Sequence, residues 1–377
     1  MNVLDDPRLD FALLERFGFE RDRFERDYAA MQAGTLSPET AIVTDPIEPA
    51  DTVVDLDFTN EEARAAGEAA LRAGKVASVV LNGGMATRFG GVVKGVVEVF
   101  DGLTFIALKA RDAKRAHETY GRPVPLVLMN SFATDASTWE HVNASSRFGL
   151  AEEDLLSFTQ SISVRLDEQL GLFIGDDGQP SYHAPGHGDF FSCIRRSGVL
   201  EKLRARGVEI LLFSNVDNLG ATVEPSVIGH HILGGKPMTA EVTEKRRTAS
   251  GAWDKGGAPA RVAGFLQLVE GFRFPPDFEQ HTLPDFSTNN MLFDAAAIDR
   301  PIGLQRHVVK KKVDGRAAIQ LESITCEASG VRDDDGGALL PLSLLRVPRE
   351  GERGRFFPVK EPADLDAMRE ILKARLG

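Results

Sequence analysis

Apolar residues in this chain follow two rhythms, short buried runs and longer stretches of helical spacing, and their alternation carries most of the fold information. Residues 8–33 place Phe11, Leu14, Phe17 and Phe24 at mixed helical spacing and predict a helix. Residues 34–57, with Pro38, Pro46 and Pro49, predict an extended strap. Thr59 followed by Glu62 has capping-box spacing, so a helix is expected over 60–73, ended by Gly74. Val76 to Leu81 is a short apolar run between glycines and predicts a buried strand. A glycine-rich loop, a helix over about 104–119 and a second strand from Val124 to Met129 complete a βαβ unit, which implies a parallel sheet. The pattern recurs in a helix at 189–205, a strand from Val208 to Ser214, a short helix at 224–233 and a strand from Met238 to Thr243. The acidic stretch 333–337 predicts a surface loop, and 362–375 a closing helix with Pro362 near its start. No internal repeat is evident.

Composition narrows the class. At roughly 150 residues per domain, 377 residues predict two domains, or one large domain with attachments. With 42% hydrophobic residues, disorder of the whole chain is excluded. Asp and Glu number 56 against 44 Lys and Arg, a net charge of −12. Such a chain has no phosphate-neutralising surplus, so a nucleic-acid partner is not expected, although a focused site can still hold phosphates. Two cysteines, Cys193 and Cys326, make neither a disulfide framework nor a four-cysteine zinc site and predict reduced thiols in a cytoplasmic protein. The N-terminus lacks the pattern of a signal peptide, and no apolar run approaches the 18 or so residues of a membrane span.

Three loops carry candidate chemistry. The first, LNGGMATRFGGVVKG at 81–95, follows the first buried strand. Glycines at that point allow close backbone approach and free N–H groups for an anion. The spacing of Gly83, Gly84, Gly90 and Gly91 does not make a dinucleotide fingerprint, and Lys94 followed by Gly95 does not make a Walker loop. Paired glycines followed by Thr-Arg and a lysine fit a nucleotidyltransferase loop, with Arg88 and Lys94 reaching a triphosphate. The alternative is a tight strand–helix turn with solvated cations. The second loop, YHAPGHGDF at 182–190, sets His187 between Gly186 and Gly188, where a ligand can press on the backbone. The third, FSNVDNLG at 213–220, puts Asp217 at the carboxyl end of a strand, where open α/β sheets bind ligands. A single carboxylate there suits Mg²⁺, which takes few protein carboxylates and leaves room for phosphates and water. An Asx-rich turn is the alternative.

Read together, these segments resemble the UTP–glucose-1-phosphate uridylyltransferases, or UDP-glucose pyrophosphorylases, of the eukaryotic-type branch. The resemblance rests on LNGGMATRFG, VPLVLMNSFATD, FTQS, APGHGD, FSNVDNLGATV, EVTEK, LVE, STNN, IQLE and RFFPVK, in that order from residue 81 to residue 360. It implies a GT-A-like, Rossmann-type α/β nucleotidyltransferase fold, with a mainly parallel central sheet flanked by helices. The expected organisation is an N-terminal helical and extended segment over 1–58, a catalytic domain over 59–330, and a C-terminal segment over 331–377 folding back over the site.

The resemblance also implies roles. Gly83, Gly84, Met129, Gln160 and Gly186 match positions around uracil. Lys94 matches a lysine near the UTP phosphates, and Asp217 the aspartate for Mg²⁺. His187, Asn215, Glu270 and Asn290 match positions lining the sugar phosphate. Lys312, in the run Lys310-Lys311-Lys312, and Lys360 match late lysines, the second at both reacting phosphates. Ala86 stands where the family usually has a third glycine. The lysine loop is one residue shorter, its VVKG resembling the UDP-N-acetylhexosamine branch, and the C-terminal β-helix domain of many members is expected to be missing, so oligomers built through it are not assumed. The implied reaction joins UTP and glucose 1-phosphate. The alternatives are another sugar 1-phosphate (N-acetylhexosamine or galactose) or a nucleotide-sugar-binding protein without catalysis.

Overall fold

A computed structural model describes residues 3–86, 91–247, 251, 253–254 and 256–376. Its centre is an eight-stranded sheet, ordered Val53–Asp55, Leu342–Arg346, Met238–Glu244, Asp285–Asp294, Ile210–Asn215, Val76–Leu81, Leu126–Asn130 and Leu155–Thr159. Every neighbouring pair is parallel except the two made by Asp285–Asp294. The sheet is thus mainly parallel and covered on both faces, which is why its strands read as continuous apolar runs. Val79, Val127, Met129 and Phe213 pack to one face, with Phe190, Phe191 and Phe293. Val80, Leu126 and Leu128 pack to the other, against Phe105, Ile106 and Leu372. Ring centroids of Phe190, Phe213 and Phe293 lie 4.9–5.9 Å apart, the spacing of favourable tilted aromatic pairs.

The Val76–Leu81 strand lies where the sheet order reverses. The chain moves outward from it to Leu126–Asn130 and Leu155–Thr159, then returns to place Ile210–Asn215 on its other side. Such a switch point opens a crevice at the carboxyl ends of the strands. The loops after Leu81, Asn130 and Asn215 all emerge there.

Several predicted elements take different bounds. Residues 8–33 form two helices, Phe11–Arg16 and Arg21–Gln32. Residues 189–205 also form two, Phe190–Arg196 and Val199–Ala205, parted by Gly198 in the left-handed region at φ +74°. The helix predicted from Thr59 is Glu61–Arg72, and Asn60 caps it by accepting from Ala63 N, while the Thr59 hydroxyl donates to Asp57.

The two ends of the chain join the fold through strands. Val53–Asp55 and Leu342–Arg346 are members of the central sheet, and Ile47–Pro49 pairs with Ala258–Val262. After Leu342–Arg346 the chain runs past the Asp217 loop, where Pro358 bridges Asn218, and ends in the helix Pro362–Leu376. Both cysteines are buried and free. Among the described residues no helix is long and apolar enough to cross a membrane.

Candidate active site

A cavity of about 400 Å³ occupies the crevice, lined by Gly83, Gly84, Lys94, Met129, Gln160, Gly186, His187, Asn215, Asp217 and Glu322 among others. A larger hollow of about 780 Å³ lies between Phe58, Thr222, Arg353 and the C-terminal helix, but neither the glycine loop nor Asp217 reaches it. The smaller cavity is therefore the candidate site.

The nucleotide side is built from close approaches. A Cβ on Gly83 would meet Gln160 Oε1 at 2.5 Å, so any larger residue would push that amide aside. Ser131 Oγ donates to the Gly83 carbonyl at 2.9 Å and fixes the loop. Gln160 Nε2 donates to the Gly186 carbonyl at 2.9 Å, which turns Oε1 toward the glycine loop as an acceptor. Gly186 sits at φ +85°, and a Cβ there would lie 2.4 Å from the Ser323 carbonyl. Both conditions exclude other residues. Met129 closes the floor, fully buried at the end of its strand.

His187 receives the Thr325 amide N–H at Nδ1, at 3.2 Å, and the Thr325 hydroxyl donates to the His187 carbonyl at 2.7 Å. Thr325 Oγ1 also lies 2.9 Å from Nδ1, so Thr325 holds that side of the ring and Nε2 is the nitrogen left to face a ligand. Burial pushes the His187 pKa down to about 4, so the imidazole is neutral at pH 7. Burial takes His183 lower still, to about 3. Both imidazoles protonate near pH 6.5 once unfolded, so stability is lost as pH falls from 6.5 toward those values. At pH 5 each should cost about 2 kcal/mol. Denaturant titrations at pH 7 and pH 5 should show a loss smaller by about that amount in His183→Gln than in the wild type.

Charge is concentrated at the third wall. Lys94 Nζ donates to Asp217 Oδ2, forming an ion pair with both side chains largely shielded. Asn215 Oδ1 accepts from Asn289 Nδ2 at 2.9 Å. Behind them Asn218 is fully engaged. Its Nδ2 donates to Asn290 Oδ1 and the Arg355 carbonyl, both at 3.1 Å, and its Oδ1 accepts from Phe357 N at 2.9 Å. Val359 N donates to the Asp217 carbonyl at 3.2 Å. The C-terminal segment is thereby stitched to the Asp217 loop, and Lys360, exposed, follows one residue later.

Beneath, the Arg355 guanidinium grips Glu241 with two bonds of 2.7 and 2.9 Å, and both side chains are almost wholly buried. Lys109 sends its ammonium to Ser214 Oγ and to the carbonyls of Asn218 and Ala221. Burial lowers its pKa to about 8, with Asp112 pulling upward.

The structure thus gathers Gly83, Gly84, Lys94, Met129, Gln160, Gly186, His187, Asn215 and Asp217 on one cavity, and sets four other predicted residues, Lys360 among them, apart from its wall. Asn290 lies behind the wall, accepting from Asn218 and donating to Glu241 at 3.2 Å, and its neighbour Asn289 makes the contact to Asn215. Lys312 is exposed on its hairpin, while Lys311, on the opposite face of that strand, pairs at 3.3 Å with Glu322 of the cavity wall. Glu270 lines a separate hollow with Trp253 and His281 and accepts from Cys326 Sγ at 3.4 Å. Arg88 lies outside the described residues. Lys109, Asn218, Glu241, Asn289, Glu322 and Arg355 were not selected from sequence, though Asn218, Glu241, Asn289, Glu322 and Arg355 stand inside or next to the motifs.

Among the described residues no group of three or more His, Cys, Asp or Glu side chains could hold a metal unaided. The donor set still fits Mg²⁺. A cation, the Lys94 ammonium, already rests against the Asp217 carboxylate, and the remaining ligands of a magnesium ion would be substrate oxygens and water.

Comparison with known proteins gives the family. The sequence model of the family described as UTP--glucose-1-phosphate uridylyltransferase matches residues 23–372. The chain is 31% identical to the UTP--glucose-1-phosphate uridylyltransferase of Saccharomyces cerevisiae, over 96% of this chain and 72% of that one. It is 33% identical to the Solanum tuberosum protein of the same name, over 77% of this chain and 60% of that one, so it spans well under two thirds of that relative's length. A crystal structure of a UDP-glucose pyrophosphorylase variant from Leishmania major superimposes with a TM-score of 0.73 at 25% identity, covering 92% of this chain and 74% of that one. The chain belongs to the UTP–glucose-1-phosphate uridylyltransferase family.

Proposed function

We propose that the protein transfers a uridylyl group from UTP to glucose 1-phosphate, giving UDP-glucose and pyrophosphate. The observation that carries this reading is the convergence of the Gly83–Gly84 loop, the Gln160–Gly186 pair and the Lys94–Asp217 pair on one cavity at the sheet's switch point. A sugar phosphate oxygen attacks the α-phosphorus in line, and the bond to the β-bridging oxygen breaks to release pyrophosphate. The attacking group is largely dianionic at pH 7, because a phosphate monoester has its second pKa near 6. No general base or protein nucleophile is required. What must be supplied is position and positive charge for two polyanions.

In this reading Gly83 and Gly84 floor the uracil pocket, and Gln160 Oε1 accepts from the base. Lys94 leaves Asp217 for the triphosphate when the substrate binds. Asp217 holds Mg²⁺, which supplies further neutralisation of phosphate charge. His187 turns Nε2 toward the sugar phosphate, with Asn215 beside it. Asn290 acts at one remove, through Asn218. Arg88, Lys312 and Lys360 are proposed to add further positive charge. The chemistry and the two free thiols suit the cytoplasm.

A site built to bond the uracil imide leaves buried groups unpaired when adenine enters. UTP should therefore exceed ATP in kcat/KM by about 10²-fold or more in direct competition, and Gln160→Leu should shrink that ratio mainly by lowering the UTP value. Equal use of UTP and ATP by the wild type defeats the base assignment.

A further inference from the structure

We infer that Lys109 is a positioning residue for this reaction, its buried ammonium setting the shape of the loop that carries Asn215 and Asp217. The inference rests on the reading of Asp217 just given. Lys109 lies in the second turn of the helix Phe105–Tyr120, on a side shared with Phe105, Ile106, alanines and Asp112, and only 5% of it is exposed. A lysine in such company is unusual, because burying an ammonium costs several kcal/mol unless its donors are met. Here all three are met within one loop. The acceptors are Ser214 Oγ at 3.3 Å where the loop begins, and the carbonyls of Asn218 at 2.8 Å and Ala221 at 2.9 Å where it leaves. Among the described residues no carboxylate touches the ammonium. It sits inside the turn and holds both limbs, with Asn215 and Asp217 between the points it grips.

The surrounding charges support that placement. Asp112, one turn along the same helix, accepts from Val223 N at 2.8 Å and so holds the continuation of the loop. Asp217 and Glu241 lie near enough to favour the ammonium, while Arg355 opposes it. An apolar side chain at 109 would fill the space and leave the Ala221 carbonyl without its donor. The turn would lose the tie that sets where the Asp217 carboxylate stands. The consequence belongs to positioning, where an error of about 1 Å far from the reacting atoms can cost about 10²-fold in rate.

The test is Lys109→Met, which keeps length and volume and removes the three donors. Thermal unfolding should still show a cooperative transition, since the side-chain volume is kept and Arg115 still pairs with Asp112 at 3.6 Å. Turnover should fall by about 10²-fold while KM for UTP changes less than about threefold, because the uracil pocket is built from Gly83, Gln160 and Gly186, which Lys109 does not touch. Hydrogen exchange on the metal-free, nucleotide-free protein gives an independent readout, with amides of 216–221 exchanging at least about tenfold faster in the variant. An unchanged kcat with unchanged exchange overturns the inference, and so does a lowered midpoint with full kcat per folded molecule. Should Lys109→Met fail to fold, Lys109→Gln carries the same measurements, and loss of folding in both shows a purely structural role and also overturns it. Wild-type protein that makes no UDP-glucose defeats the activity reading instead, and the exchange comparison then still decides the role of Lys109.

Discussion

Asp217→Ala is expected to lower turnover by about 10³-fold or more, the equivalent of roughly 4 kcal/mol of transition-state stabilisation. The carboxylate stands at the carboxyl end of the Ile210–Asn215 strand, facing a cavity that must accept two polyanions. Its described side-chain partner is Lys94. On the proposed reading, removing it would take away the anchor for a magnesium ion and free a lysine that would otherwise be handed over at substrate binding. The fold should survive. The pair lines an open cavity outside the packed core, and the loop backbone is held separately by Val359, Asn218 and Lys109. Pyrophosphate release in Mg²⁺, measured beside a denaturant titration, checks both halves. Near-normal Mg²⁺-dependent turnover in this variant means that Asp217 does not hold the metal.

Arg355→Met should produce the largest loss of stability of any single change near the site. The guanidinium is 4% exposed and its partner Glu241 1%, and their two bonds are joined by a third from Arg355 to the Thr222 carbonyl at 3.2 Å. Deleting one member strands a buried carboxylate, which typically costs about 3–5 kcal/mol. Asn290 Nδ2 still donates to Glu241, but a neutral amide at 3.2 Å does not replace a guanidinium. The double variant Arg355→Met, Glu241→Met removes both charges and should recover most of the loss, because well-packed apolar replacements of buried ion pairs are often neutral. Equilibrium denaturation of the wild type, both single variants and the double variant gives the coupling directly. A loss under about 1 kcal/mol in Arg355→Met would show that solvent reaches Glu241.

These two expectations differ in how far the sequence alone could support them. Asp217 was legible because a doubly covered parallel strand reads as an apolar run, and a carboxylate just beyond such a run has a known place in an open sheet. The Gly83–Gly84 loop was legible for the same reason. The Arg355–Glu241 pair was not, because 114 residues separate its members and nothing local marks either as buried. Lys109 was hidden differently. A lysine at helical spacing among alanines reads as a solvated surface position, and only the fold shows that its end reaches a loop about one hundred residues later. Where strand alternation decided the outcome, a shift of one residue sufficed, as with Asn289 for Asn290 and Lys311 for Lys312 at the cavity. Helix ends failed for local reasons. Asn60 outcompetes Thr59 as the cap because Asp57 occupies the threonine hydroxyl, and Gly198 divides a stretch whose apolar spacing is continuous.

The central claim is tested most directly by incubating the wild-type protein with Mg²⁺, UTP and glucose 1-phosphate and identifying both products. Release of one pyrophosphate for each UDP-glucose formed, with far less from ATP, is the predicted result. No UDP-glucose, or pyrophosphate released at equal rates from UTP and ATP, would contradict it.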